Sequence, residues 1–111
     1  MQPKSNLWVE RDGQVVLSKW RVNLLRAIDQ TGSISAAAQV MKVSYHRAWE
    51  KLHDMETRLG VELVETQIGG THGGGARLTA AAHDYVARFD RFSQGIDDIV
   101  ARHFVESFGP Q

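Results

Sequence analysis

The chain has 111 residues, no cysteine, 42% hydrophobic residues and a formal net charge of zero. This length predicts one small domain with its own core, and the lack of cysteine excludes disulfides and thiolate metal sites. No apolar run follows residues 1–5 as in a signal peptide, and no segment is long enough to span a bilayer. We therefore expect a cytoplasmic protein.

The charges are divided unevenly along the chain. Residues 1–60 contain nine Lys and Arg against six Asp and Glu, whereas residues 61–111 contain four against seven. The first half thus carries +3 and the second half −3. A basic front half is compatible with nucleic-acid binding, although the zero total by itself does not favour it.

The first elements are predicted to be two strands. The β-favouring runs Leu7 to Arg11 and Gln14 to Leu17 flank Asp12-Gly13, a strong hairpin turn signal. Two strands alone are marginally stable in water. We therefore expect this hairpin to pack on the rest of the domain through Trp8.

A helix is predicted next, from Lys19 to Gln30. Ser18 is a suitable N-cap, and Gly32 tolerates the left-handed turn that ends helices. Apolar residues recur at helical spacing within it, namely Trp20, Leu24, Ala27 and Ile28.

Residues 33–59 are typical of a helix-turn-helix. A short alanine-rich helix capped by Ser33 is followed by a turn at Val43, and Ser44 caps a second helix. The second helix has an apolar stripe formed by Ala48, Trp49, Leu52, Met55 and Leu59. Its other side carries His46, Arg47, Glu50, Lys51, His53 and Asp54. This pattern predicts a second helix that enters a DNA major groove.

A glycine-rich wing is predicted over residues 61–78. A strand at Val61 to Thr66 precedes a tract in which five of the ten glycines lie within residues 69–75. Such a tract is a loop, and Ala76 to Leu78 would form the return strand.

The last element is predicted as a long helix over residues 80–105, capped by Thr79. Its apolar residues are Ala82, Tyr85, Val86, Phe89, Phe92, Ile96, Ile99, Val100 and Phe104. A helix of about 35–40 Å exceeds what so small a domain needs to cover its core. We expect part of this stripe to meet a second subunit, with Gly95 at a bend or a close helix crossing. The fold class is therefore mainly α with a small β component.

Several motifs in this order resemble the N-terminal DNA-binding domain of the ModE family of molybdate-responsive bacterial transcription regulators. They are Gly32-Ser33-Ile34-Ser35 with Ala37-Ala38, Val43-Ser44-Tyr45 with Ala48-Trp49, Leu63-Val64-Glu65, and Gly69-Gly70-Thr71-His72-Gly73-Gly74-Gly75-Ala76 with Leu78-Thr79. The winged helix-turn-helix of LysR-type regulators is also similar. The resemblance implies a bacterial regulator that binds duplex DNA as a homodimer. Proteins of this family carry C-terminal oxyanion-binding modules, which we do not expect in a chain ending at Gln111.

The candidate DNA contacts follow from their places in these elements. They are Ser33, Ser35, Ser44, Tyr45, His46, Arg47, Lys51, Thr71, His72 and Arg77. Arg47 suits a guanine edge or a phosphate, Lys51 a phosphate or only solvent, and Ser33 a phosphate or only the helix cap. Trp49 is expected in the core. The wing either follows the DNA backbone or is merely a flexible loop.

Other classes of function fit less well. The five histidines show no i, i+4 pair and no surrounding carboxylates that would suggest a metal site, and no catalytic motif or cofactor motif is present. The glycine tract lacks the Gly-Lys-Ser/Thr of a nucleotide loop. A protein-interaction or dimerisation module without DNA binding remains the alternative, followed by a small oxyanion-binding protein. We do not expect an enzyme.

Overall fold

The computed structural model describes residues 1–67 and 75–111. The elements in chain order are β1 (Trp8–Arg11), β2 (Gln14–Ser18), α1 (Lys19–Thr31), α2 (Ile34–Met41), α3 (Tyr45–Leu59), β3 (Val64–Gln67), β4 (Gly75–Leu78) and α4 (Ala80–Phe108). The predicted class, mainly α with small two-stranded sheets, is confirmed. The predicted glycine tract lies largely outside the described residues.

Each helix begins where a hydroxyl can accept the backbone N–H three residues later. The donor–acceptor distances at Ser18, Ser33, Ser44 and Thr79 are 3.2, 2.9, 3.1 and 3.1 Å. All four predicted N-caps are therefore confirmed. Helix α1 ends one residue later than predicted, before the left-handed Gly32 with φ of 76°, and α4 continues three residues further, to Phe108.

The N-terminal hairpin packs on the domain through β2 and not through Trp8. Val16 and Leu17 are buried, whereas Trp8 is 48% exposed. Side chains two residues apart lie on the same side of a strand, and the Trp8 indole Nε1 donates to Glu10 on that solvent side at 2.9 Å. The predicted role of Trp8 was therefore wrong.

The core lies between α1, α2, α3, the base of the β3–β4 hairpin and the start of α4. Six of its side chains are almost completely buried and large: Val22, Leu24, Leu25, Ile28, Met55 and Leu63. Ala37, Ala38 and Ala48 are also buried. These small residues let α2 approach α1 and α3 closely, as the alanine-rich sequence predicted.

Strands β3 and β4 form the antiparallel wing, with Val64 opposite Leu78 and Gln67 opposite Gly75. The first strand begins three residues later than predicted. The reason is that the N–H of Leu63 donates to the Glu56 carboxylate at 2.8 Å, so this segment turns towards α3 before the strand pairing starts.

Helix α4 extends well beyond the globular part of the domain. Its 29 residues correspond to about 43 Å, and the molecule measures 58 × 29 × 23 Å. Only Ala82 and Phe89 of this helix are buried, whereas Phe92 and Ile99 of the predicted stripe are 47% and 44% exposed. The helix continues through Gly95. None of the helices in the described ranges has the length and apolarity to cross a membrane.

Candidate nucleic-acid interface

A tight turn sets α3 across α2. Lys42 adopts a left-handed conformation with φ of 59°, and the N–H of Val43 donates to the carbonyl oxygen of Ala38 at 3.0 Å. Met41 and Val43 pack against the core from this turn. The predicted helix-turn-helix over residues 33–59 is confirmed, and its geometry leaves the start of α3 at the surface.

The first turn of α3 presents three polar side chains to solvent. Tyr45, His46 and Arg47 are exposed, because the next buried positions of the helix are Ala48 and Leu52. Nε2 of His46 lies 3.3 Å from Oε2 of Glu50. Among the described residues, Arg47 has no carboxylate within ion-pair distance, so its guanidinium is available to an anion.

Trp49 does not lie in the core. Its side chain is 44% exposed, and its ring stacks on that of His53 with 5.0 Å between centroids and 7° between planes. The predicted apolar stripe is otherwise correct, since Ala48, Leu52, Met55 and Leu59 are buried. The structure therefore corrects the prediction for Trp49 and places it on the same exposed edge of α3 as Tyr45.

A shallow cleft brings the start of α2 together with the start of α3 and the wing. It has a volume of about 240 Å³ and is lined by Ser33, Ser35, Tyr45, Thr66 and Gln67, among others. Sequence analysis singled out the first three but missed Thr66 and Gln67. The only signal was that both lie in the predicted wing over residues 61–78, Thr66 at the end of its first predicted strand and Gln67 directly after it.

Lys51 lies one turn after Arg47 and is half-buried. Its carbonyl oxygen accepts a hydrogen bond from Nη1 of Arg21 in α1 at 3.3 Å. Burial lowers the pKa of the Arg21 guanidinium, as does nearby Arg58, while Asp54 acts in the opposite direction. Arg21 thus anchors the middle of α3 to α1.

The wing is joined to the helix-turn-helix at two points. The N–H of Ala76 donates to the carbonyl oxygen of Gly32 at 2.8 Å. On the other strand, Oε2 of Glu56 accepts from the N–H groups of Leu63 and Val64 at 2.8 and 3.4 Å. These contacts fix the wing relative to α3.

Arg77 projects from the wing strand β4. Its Nε is 3.0 Å from Oε2 of Glu65 on β3, and both side chains are exposed. The other predicted wing contacts, Thr71 and His72, lie outside the described residues. Within residues 1–67 and 75–111, no three His, Asp or Glu side chains come together as a metal site would need.

Comparison with known proteins places this geometry in a family. Residues 21–83 match the family described as "Bacterial regulatory helix-turn-helix protein, lysR family". The crystal structure of a CbnR DNA-binding domain in complex with DNA has a TM-score of 0.60 and 25% identity, covering 78% of this chain and 94% of that one.

Two curated relatives are a molybdenum-pterin-binding protein and a transcriptional regulator. The molybdenum-pterin-binding protein MopB of Rhodobacter capsulatus is 40% identical over 73% of this chain and 30% of its own length. The transcriptional regulator ModE of Yersinia pestis is 36% identical over 81% of this chain and 34% of its own length. The chain spans about a third of these relatives, so the expected lack of an oxyanion-binding module stays a prediction. The chain belongs to the lysR family of bacterial regulatory helix-turn-helix proteins.

Proposed function

We propose that this chain is the sequence-specific duplex DNA-binding domain of a bacterial transcription regulator. The observation that carries the proposal is the exposed first turn of α3, where Tyr45, His46 and Arg47 project from a capped helix end. The likeness to a CbnR domain solved on DNA supports it. Regulation of transcription takes place on chromosomal DNA, so the proposal includes a cytoplasmic location.

The side chains divide into base-reading and phosphate-binding groups. Tyr45, His46 and Arg47 would face base edges in the major groove, and a bidentate Arg47 would select guanine through O6 and N7. Ser44 caps the helix that carries them and lies at the same edge. Lys51 follows Arg47 on α3 and would meet a phosphate.

A second group of side chains would hold the DNA backbone beside α3, the proposed reading helix. Ser33 and Ser35 stand at the start of α2, where backbone N–H groups favour an anion, and they line one cleft with the wing strands. Arg77, together with Thr71 and His72 of the glycine tract, would follow the flanking backbone. These contacts position the domain without reading sequence.

The proposed DNA-binding form is a homodimer that pairs through α4. Phe92 and Ile99 are about half exposed, and together with Ile96 they recur at helical spacing on the part of α4 that extends past the core. A second copy would cover this stripe. Two reading helices about 34 Å apart would then enter successive major grooves of a two-fold site, and occupancy of a promoter would block or recruit polymerase.

The proposal is tested by selection of bound fragments from random genomic DNA, followed by fluorescence anisotropy on the recovered site. We expect a two-fold motif with half-sites about one helical turn apart. Arg47→Ala should weaken binding to this motif by about 1–3 kcal/mol, whereas Arg91→Ala, which removes an exposed arginine from α4, should not.

The salt dependence of binding gives an independent check. The logarithm of the DNA-binding constant falls with the logarithm of the salt concentration. Each phosphate contact that is lost makes this negative slope shallower by about 0.9. Lys51→Ala should reduce this slope, and the exposed Arg91→Ala should leave it unchanged. A folded protein that retains no DNA even at low salt would refute the proposal and favour the protein-interaction module.

A further inference from the structure

An exposed tryptophan lies at the second turn of the reading helix. Trp49 is 44% exposed and is stacked almost parallel on His53, with 5.0 Å between ring centroids. An indole needed only for packing would be covered by the core, as the neighbouring Ala48 and Leu52 are. The stack instead holds a flat apolar surface in one orientation at the solvent boundary.

This surface continues the proposed reading edge of α3. Tyr45, Trp49 and His53 are spaced by four residues, so they follow one another along one side of the helix. Tyr45 lines the cleft at the wing with Thr66 and Gln67, and Trp49 lines the adjoining groove with Val64 and Thr66. One turn of α-helix advances about 5.4 Å, which corresponds to between one and two base pairs at about 3.4 Å each.

The major groove offers few partners to an apolar ring. Its hydrogen-bonding edges match polar side chains such as that of Arg47, and its one apolar group is the C5-methyl of thymine. We propose that Trp49 is a specificity-determining residue whose indole packs on thymine methyl groups, with His53 as the positioning residue that orients the ring. This inference rests on the proposed DNA-binding function and extends it to a base preference.

The test replaces single thymines of the selected operator by uracil, which removes only the methyl group. Burying one such group is worth about 0.8 kcal/mol, so at the contacted thymine uracil should weaken binding by the wild-type protein about fourfold. In Trp49→Ala the ratio of the two dissociation constants should fall to one at that position. The ratio is internal to each variant, so a partial loss of stability does not affect it.

Matched variants separate the roles of the two rings. Trp8→Ala removes a tryptophan of similar exposure, 48%, from the N-terminal hairpin, and it should keep the fourfold ratio. His53→Ala should lower the ratio, and His53→Phe, which can still stack, should restore it. A merely structural role for His53 would change overall affinity but not this ratio.

Two negative results distinguish failure of this inference from failure of the proposed function. If the protein binds its operator but no thymine shows an effect that depends on Trp49, the inference is refuted and the DNA-binding function stands. If the wild-type protein binds no duplex DNA at all, the proposed function itself fails.

Discussion

Glu56 is the residue of α3 that holds the wing to this helix. Its carboxylate accepts from the N–H groups of Leu63 and Val64, and Leu63 is fully buried. Glu56→Ala leaves the Leu63 N–H without this acceptor in the core. A buried group left unpaired costs about 1–3 kcal/mol, so we expect the free energy of unfolding to fall by about 2 kcal/mol.

The corresponding change in melting temperature follows from the size of the chain. An unfolding entropy of about 2.1 cal/mol/K per residue gives about 0.23 kcal/mol/K for 111 residues. The melting temperature of Glu56→Ala should therefore fall by about 9 °C in calorimetry at matched protein concentration. Glu56→Gln keeps an acceptor of the same shape and should lose only a fraction of this.

Glu62→Ala is the matched control, because it removes an exposed carboxylate from the same segment. It should shift the melting temperature by no more than about 2 °C, as expected for a surface change of up to 0.5 kcal/mol. If Glu56→Ala and Glu62→Ala lower the melting temperature equally, the carboxylate does not hold the wing, and the reasoning from these hydrogen bonds is refuted.

Three further predictions concern the helices. Asp90→Asn breaks the pair with Arg26 (side chains 47% and 39% exposed) and should cost less than about 1 kcal/mol, shrinking in 1 M salt. The hydrogen bond to Asp90 raises the pKa of Arg26. The stabilisation that this shift contributes is therefore present below the ordinary pKa of arginine and is lost only as the pH rises through the raised value. Chemical denaturation should accordingly show no Arg26 titration between about pH 5 and 9. Ser44→Ala removes the α3 cap and should cost about 1 kcal/mol in the same assay, with Ser44→Gly closer to wild type. Ile99→Glu should give monomers in sedimentation, whereas Ala87→Glu, exposed and off the stripe, should not; equal dimerisation of both variants would exclude pairing through this face.

The parts of the fold that were predictable from the sequence depend on local chemistry. Ser18, Ser33, Ser44 and Thr79 start helices because a hydroxyl reaches an N–H only three residues away. This contact needs no knowledge of the rest of the chain. The positions of all four helices therefore followed from sequence pattern to within three residues.

The predictions for Trp8 and Trp49 were both wrong because tryptophan was counted as apolar and was therefore expected to be buried. Trp8 shares its side of a strand with the charged Glu10, and Trp49 shares its side of α3 with the exposed Tyr45. In each case the polar neighbour on the same face was the signal. An indole has a polar N–H and can remain at the surface, so the face matters more than the residue type.

Other contacts of the candidate site required the three-dimensional path of the chain. Arg21 donates a hydrogen bond to the carbonyl oxygen of Lys51, thirty residues later. The N–H of Ala76 in the wing donates to the carbonyl oxygen of Gly32. Both are pairings of backbone carbonyls with distant donors, which leave no trace in periodicity or spacing. Thr66 and Gln67 belong to the same category, since only the folded wing brings them beside Tyr45.

The zero net charge is compatible with DNA binding because of where the charges lie. The turn before α3 and the first part of α3 carry three basic residues, Lys42, Arg47 and Lys51, with only Glu50 as a carboxylate between them. Helix α4, by contrast, carries five acidic and three basic residues. Non-specific DNA binding is almost entirely electrostatic. A chain with zero net charge has little overall attraction to phosphate, so its non-specific affinity should be low. Under the proposed function, affinity would then come from groups in direct contact with the DNA, among which Arg47 is proposed. Such a domain would depend on its base contacts for occupancy of the operator. A weak non-specific background would raise the ratio of specific to non-specific binding, on which operator selection depends.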